Sequence, residues 1–213
     1  MLPAHSFGER LAQAVLQKKN PVCVGLDPRI ESLPPSLQPA TPSDLTRSAL
    51  AYERFCIDIL DAVCEWVPIV KPQAAFFEEL GPEGVRVLER VVREATQRGL
   101  LVVMDAKRGD IGTTATAYAN AFLGSGPVGS PQYSPFGADA LTVNPFLGAD
   151  TLEPFVQRCD ASHSGLFVLV KTSNPGSGFL QDRVTQSETV SECVAKHVES
   201  LSSVRRGESG YGP

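Results

Sequence analysis

The chain has 213 residues and a formal net charge of −5, with acidic and basic residues interspersed and no block of Lys or Arg. That balance argues against a basic nucleic-acid-binding patch, and no apolar run approaches the roughly 20 residues of a membrane-spanning helix. The five cysteines, an odd number without a Cys-x-x-Cys spacing, fit reduced thiols in a cytoplasmic protein; the first residues lack the basic-then-apolar pattern of a secretory signal. His5, His163 and His197 do not cluster, which argues against a zinc site or a Ser-His-Asp triad.

Along the chain, residues 7–19 have helical spacing of Phe7, Leu11, Ala14, Val15 and Leu16, with Ser6 and Glu9 set as a capping box. Residues 21–27 read as a strand ending at Asp27, followed by a Pro- and Ser-rich connection over 28–42. A long amphipathic helix is predicted for 43–66, capped by Ser43, then a strand over 67–72 that ends at Lys71. A helix over 82–98 stops at Gly99. Next comes Leu101-Val102-Val103-Met104-Asp105-Ala106-Lys107-Arg108-Gly109-Asp110-Ile111-Gly112, a short buried strand that delivers an Asp, a Lys and a second Asp into a turn. A helix over 113–123, a loop over 124–135 and a strand over 138–145 follow, then a short helix over 150–158. A fifth strand over 165–173 turns at Asn174-Pro175-Gly176, and a last helix covers 186–203; the closing Gly-Glu-Ser-Gly-Tyr-Gly-Pro has the look of an approach to a sixth strand.

Strands alternate with helices, the pattern of βα units around a parallel sheet. All five predicted strands end in polar residues: Asp27, Lys71, Asp105 with Lys107, Asn144, and Thr172 with Ser173. Active sites of (β/α)8 barrels lie at the carboxyl ends of their strands. A doubly wound open sheet is the structural alternative, but no Gly-x-Gly-x-x-Gly follows the first strand. Residues i and i+2 of a strand share a face, so Asp105 and Lys107 are expected to point together. Singly, each of these residues has an ordinary explanation: an ion pair closing a strand, a turn former, a first-turn helix residue. Their joint placement carries the functional reading.

Asp105-Ala106-Lys107-Arg108-Gly109-Asp110-Ile111 resembles the Asp-x-Lys-x-x-Asp signature of the orotidine 5′-phosphate decarboxylase family. Gly25-Leu26-Asp27-Pro28-Arg29, Lys71-Pro72-Gln73, Thr142-Val143-Asn144-Pro145 and Thr172-Ser173-Asn174-Pro175-Gly176 resemble that family's other strand ends, in the spellings of its bacterial type 2 branch. The resemblance implies a TIM barrel, decarboxylation of orotidine 5′-phosphate to uridine 5′-phosphate, no cofactor and no metal. Lys107 then resembles the proton donor to C6 of the pyrimidine, Asp105 the carboxylate beside the leaving group, and Lys71 the lysine touching Asp105 and the ribose. Asp110 resembles the aspartate placed in the neighbouring subunit's site, which implies a homodimer with shared active sites, and Thr114 a threonine that also crosses to the ribose. Asp27 resembles the aspartate on a ribose hydroxyl and Ser173 the serine reading the base edge; Asn144 is a further substrate-binding candidate.

The chemistry agrees with the residues. Loss of CO2 from an sp2 carbon leaves a carbanion that most decarboxylases stabilise with a cofactor sink. With no cofactor fingerprint visible, the remaining tool is a preorganised cation in a water-excluded site. Flanking carboxylates keep such an ammonium protonated.

A complete barrel needs eight strands and typically about 250 residues; five are predicted here. Residues 1–213 are therefore expected to form a single barrel domain that is incomplete at its carboxyl end, without the family's phosphate-binding loops and with little or no activity alone. Three alternatives stay open. One is a Mg2+-dependent sugar-phosphate decarboxylase or synthase of the same superfamily, which Lys71 disfavours. The others are a Schiff-base aldolase and a non-catalytic nucleotide-binding remnant.

Overall fold

The computed structural model of the chain describes residues 6–124, 126, 128–206 and 210–212. Five strands form one parallel sheet: β1 (Cys23–Leu26), β2 (Ile69–Pro72), β3 (Leu101–Arg108), β4 (Ala140–Val143) and β5 (Gly165–Val168). They lie side by side in sequence order. Every crossover thus advances one strand in the same direction, which is how a barrel winds; a doubly wound sheet reverses at a switch point. The sheet is the first five-strand arc of a (β/α) barrel, with β1 and β5 at its two edges.

The connecting helices are α2 (Leu45–Val63), α3 (Ala74–Glu78), α4 (Gly81–Gln97), α5 (Gly112–Phe122) and α6 (Glu153–Ser162), with α1 (Phe7–Lys18) before the sheet and α7 (Val190–Ser203) after it. No helix among the described residues is long and apolar enough to cross a membrane.

Strand alternation divides the apolar residues between two faces. Leu26, Val70, Val102, Met104, Leu141 and Val143 join the helices in the main core. On the concave face, Ile69, Val103 and Ala140 form a second cluster with Phe7 of α1. Strands buried on both faces read as continuous apolar runs, which is why they stood out in the sequence. The α1 helix closes the amino-terminal end of the concave face. Its capping box is formed in full, with Ser6 N–H on Glu9 at 3.0 Å and Glu9 N–H on Ser6 Oγ at 3.3 Å. Arg10 pairs with Asp139 just before β4, and Phe7 meets Phe167 of β5 edge-to-face at 6.0 Å.

Several expectations need correction. The cap of α2 is Asp44, whose carboxylate accepts the Arg47 N–H at 3.0 Å, and not Ser43. The fifth strand ends at Val168, where its partner strand β4 ends at Val143, so Thr172 and Ser173 lie in a loop, in which Gln181 takes the Thr172 N–H at 2.9 Å. The last helix begins at Val190, because Thr189 caps it and a hairpin of β6 (Val184–Thr185) and β7 (Glu188–Thr189) precedes it. Residues 149–162 split into a 3-10 turn (Ala149–Leu152) and α6. The five-residue α3 had no periodicity long enough to read. The loop-like reading of the last residues agrees with the structure at Gly210–Gly212, where the Gly212 carbonyl accepts the Gly8 N–H at 3.1 Å. The amino-terminal segment 1–5 with His5, two loop residues (Ser125 and Pro127), 207–209 and Pro213 lie outside the described residues.

Candidate active site

Three of the expected residues meet at the carboxyl end of the sheet's centre. β2 and β3 run in parallel register, and a further bridge joins Gln73 to Asp105. Gln73 therefore stands beside Asp105, and Lys71, two residues earlier on the same concave face, reaches it from below. Lys71 Nζ donates to Asp105 Oδ2 at 2.7 Å, and Lys107 Nζ donates to Asp105 Oδ1 at 2.6 Å. Each carboxylate oxygen has one more donor: Gln73 Nε2 at 3.0 Å on Oδ2 and Thr142 Oγ1 at 3.0 Å on Oδ1. Asp105 is 6% exposed. Burial alone pushes its carboxyl up, but the lysine ammoniums and the Thr142 hydroxyl outweigh burial and hold it below the ordinary carboxylate range. Two ammoniums around one carboxylate leave a net positive charge facing the open side, suited to an anionic ligand. A cavity of about 400 Å3, lined by Lys71, Thr142, Cys23, Ile69, Val103 and Phe167 among others, opens beside them.

Asp105 and Lys107 do point together, as expected, but simple alternation is not the cause. Lys107 has a left-handed backbone, φ 49°, inside a break in the β3–β4 register. Arg108 turns away from Lys107, pairs with Glu78 of α3, and lies over the Tyr118 and Phe122 rings at 5.6 and 5.4 Å. The chain then passes so close to β4 that a Cβ on Gly109 would stand 2.7 Å from the Asn144 carbonyl oxygen, which restricts this position to glycine.

The other expected residues stand apart from this cluster, with no hydrogen bond or ion pair to it among the described residues. Asp110 accepts the Ile111 N–H at 2.8 Å. Thr114 is exposed on the first turn of α5, next to Ile111, which is 62% exposed. Asp27 is exposed immediately after β1, and Ser173 is exposed in the loop after β5. Asn144 forms a turn, its side chain accepting the Phe146 N–H at 3.0 Å. Sequence reasoning missed Gln73 and Thr142 as partners of Asp105. The available signal was strand parity: Gln73 is two residues beyond Lys71, and Thr142 is two beyond lumen-facing Ala140. Among the described residues no three His, Cys, Asp or Glu side chains gather in a metal-binding group.

Comparison with known proteins places this arrangement. Residues 20–204 match the model of the orotidine 5′-phosphate decarboxylase / HUMPS family. An orotidine 5′-phosphate decarboxylase of Rhodopirellula baltica is 52% identical over 209 residues, covering 98% of this chain and 68% of the relative. One from Streptomyces coelicolor is 44% identical over 178 residues, covering 84% of this chain and 59% of the relative. A Streptomyces avermitilis protein of known crystal structure superposes with a TM-score of 0.81 at 42% identity, covering 98% of this chain and 67% of that one. The chain thus spans roughly two thirds of the length of these relatives. With the barrel winding, the Lys71–Asp105–Lys107 cluster and the match over nearly the whole sequence in agreement, the chain belongs to the orotidine 5′-phosphate decarboxylase / HUMPS family.

Proposed function

We propose that this chain carries the catalytic centre of an enzyme that decarboxylates orotidine 5′-phosphate to uridine 5′-phosphate, with residues 1–213 forming one barrel domain. The observation that carries this reading is a single buried carboxylate, Asp105, held between the ammoniums of Lys71 and Lys107 at 2.7 and 2.6 Å.

Each group has a task in that reaction. As the C6–CO2 bond breaks, its electron pair stays on C6. The Lys107 ammonium, held by Asp105, stabilises that pair and then gives C6 a proton, so that substrate plus one proton becomes product plus CO2. Such a fixed charge acts without reorganising at the moment of reaction. Asp105 fixes the direction of Lys107 by accepting from its Nζ. Lys71 neutralises the second oxygen of Asp105 and reaches the ribose. Asp27, Asn144 and Ser173 are proposed to hold the sugar and base. Asp110, half-buried, and Thr114, exposed, neither bonded to the cluster of their own protomer, are proposed to serve the active site of a second subunit in a homodimer.

The test is release of CO2 from carboxyl-labelled orotidine 5′-phosphate, with and without excess chelator. Turnover that survives the chelator supports the reading. Turnover only of a sugar phosphate, and only with Mg2+, would assign the chain to the other branch of its family.

A further inference from the structure

We propose that Thr142 is a positioning residue, whose hydroxyl folds the end of β3 around itself and thereby aims Lys107. The inference rests on the role assigned to Lys107 above. The β3–β4 ladder pairs Met104 with Leu141, and next Arg108 with Val143. Three residues of β3, namely Asp105, Ala106 and Lys107, therefore stand opposite one residue of β4, which is Thr142. Such an excess on one strand normally leaves backbone groups unpaired.

Here the Thr142 side chain takes up the excess. Its Oγ1 accepts the Ala106 N–H at 3.0 Å and the Lys107 N–H at 2.9 Å, and it donates to Asp105 Oδ1 at 3.0 Å. A hydroxyl has two acceptor sites and one proton. The Met104 carbonyl lies at 3.5 Å from the same oxygen, so the proton goes to the nearer Asp105 carboxylate, and the three bonds fall on three consecutive residues, two of which carry the proposed chemistry. The residue is 8% exposed, so water does not replace these bonds freely. Lys107, the last residue of this excess, has a left-handed backbone, a conformation uncommon for a residue with a side chain. Valine has the shape of threonine and none of these bonds, whereas serine keeps them all.

The experiment compares the wild-type protein with Thr142→Val and Thr142→Ser. Three quantities are read: kcat and KM for orotidine 5′-phosphate, the Asp105 carboxyl titration by carbon NMR, and hydrogen exchange of the Ala106 and Lys107 amides. Because misplacing a reacting group by an ångström costs on the order of 100-fold in rate, Thr142→Val should lower kcat by about that factor with KM little changed. It should also raise the Asp105 titration midpoint and expose both amides, and Thr142→Ser should restore all three readouts. A Thr142→Val protein that melts at lower temperature but keeps its kcat and its Asp105 titration would overturn the proposal, since the hydroxyl would then be only structural. If Thr142→Val does not fold, wild-type exchange decides: protected Ala106 and Lys107 amides uphold the geometry, and freely exchanging ones refute it. Kinetics are read in the full-length enzyme; if no form of it decarboxylates orotidine 5′-phosphate, the functional reading fails, while the titration and exchange still judge Thr142.

Discussion

Replacing Asp105 with Asn tests the electrostatics of the cluster directly. Asparagine keeps the shape and one acceptor oxygen but removes the charge that faces two ammoniums. A hydrogen bond to a charged group contributes roughly 1.5–3 kcal/mol net, and breaking a fully buried ion pair costs about 3–5 kcal/mol. The side chains of Lys71 and Lys107 are 34% and 46% exposed, so solvent screening pulls the value toward the small contribution of surface pairs. A loss of about 2 kcal/mol at neutral pH is expected. The sign of its pH dependence follows from the depressed carboxyl. Wild-type stabilisation is fully present above the unfolded-state value near 3.9 and disappears as pH falls through the lower folded-state value. Below it, protonated Asp105 is nearly isosteric with Asn, and the two proteins converge. Urea unfolding followed by circular dichroism from about pH 7 to about pH 3 measures the gap. Equal stability at pH 7, or a gap that does not narrow in acid, would refute the reasoning.

In the full-length enzyme, Lys107→Ala should abolish decarboxylation, by several orders of magnitude in kcat, while calorimetry still detects binding of uridine 5′-phosphate; near-normal kcat would remove Lys107 from the mechanism. Arg158→Ala should cost about 2–3 kcal/mol, because its guanidinium donates to the carbonyls of Leu123, Pro131 and Tyr133 at 2.8, 2.6 and 2.7 Å. Chemical denaturation measures that loss, and faster amide exchange in the loop after α5 locates it. Gly165→Ala places a Cβ 2.4 Å from Cδ1 of Phe7; overpacking of this kind costs about 1–3 kcal/mol, and an unchanged melting temperature would show that Phe7 does not sit against β5.

Most of the sheet was legible because its strands are short apolar runs separated by helices with clear periodicity. Lys71, Asp105 and Lys107 were legible because strand parity and the Asp-x-Lys spacing agree. The reason for their meeting was not, since it lies in a three-against-one bulge, and register between strands 35 residues apart leaves no mark in either strand alone. Thr142 looked like one more β-branched strand residue. The reach of the fifth strand was overestimated for a related reason: Gly165 to Ser173 is uniformly compatible with extended backbone, and the ladder stops at Val168 because its partner strand β4 stops at Val143.

The seat of α1 has a consequence for biosynthesis. Arg10 finds its carboxylate 129 residues later in the chain, and Phe7 closes on Phe167 and Gly165. Helix α1 thus leaves the ribosome well before the strands it docks on. At about 5–20 residues per second, Phe7 waits on the order of ten to thirty seconds for its partner to be synthesised. During that interval Phe7, Leu11 and Val15 remain a naked greasy stripe, the natural target for a chaperone on the nascent polypeptide.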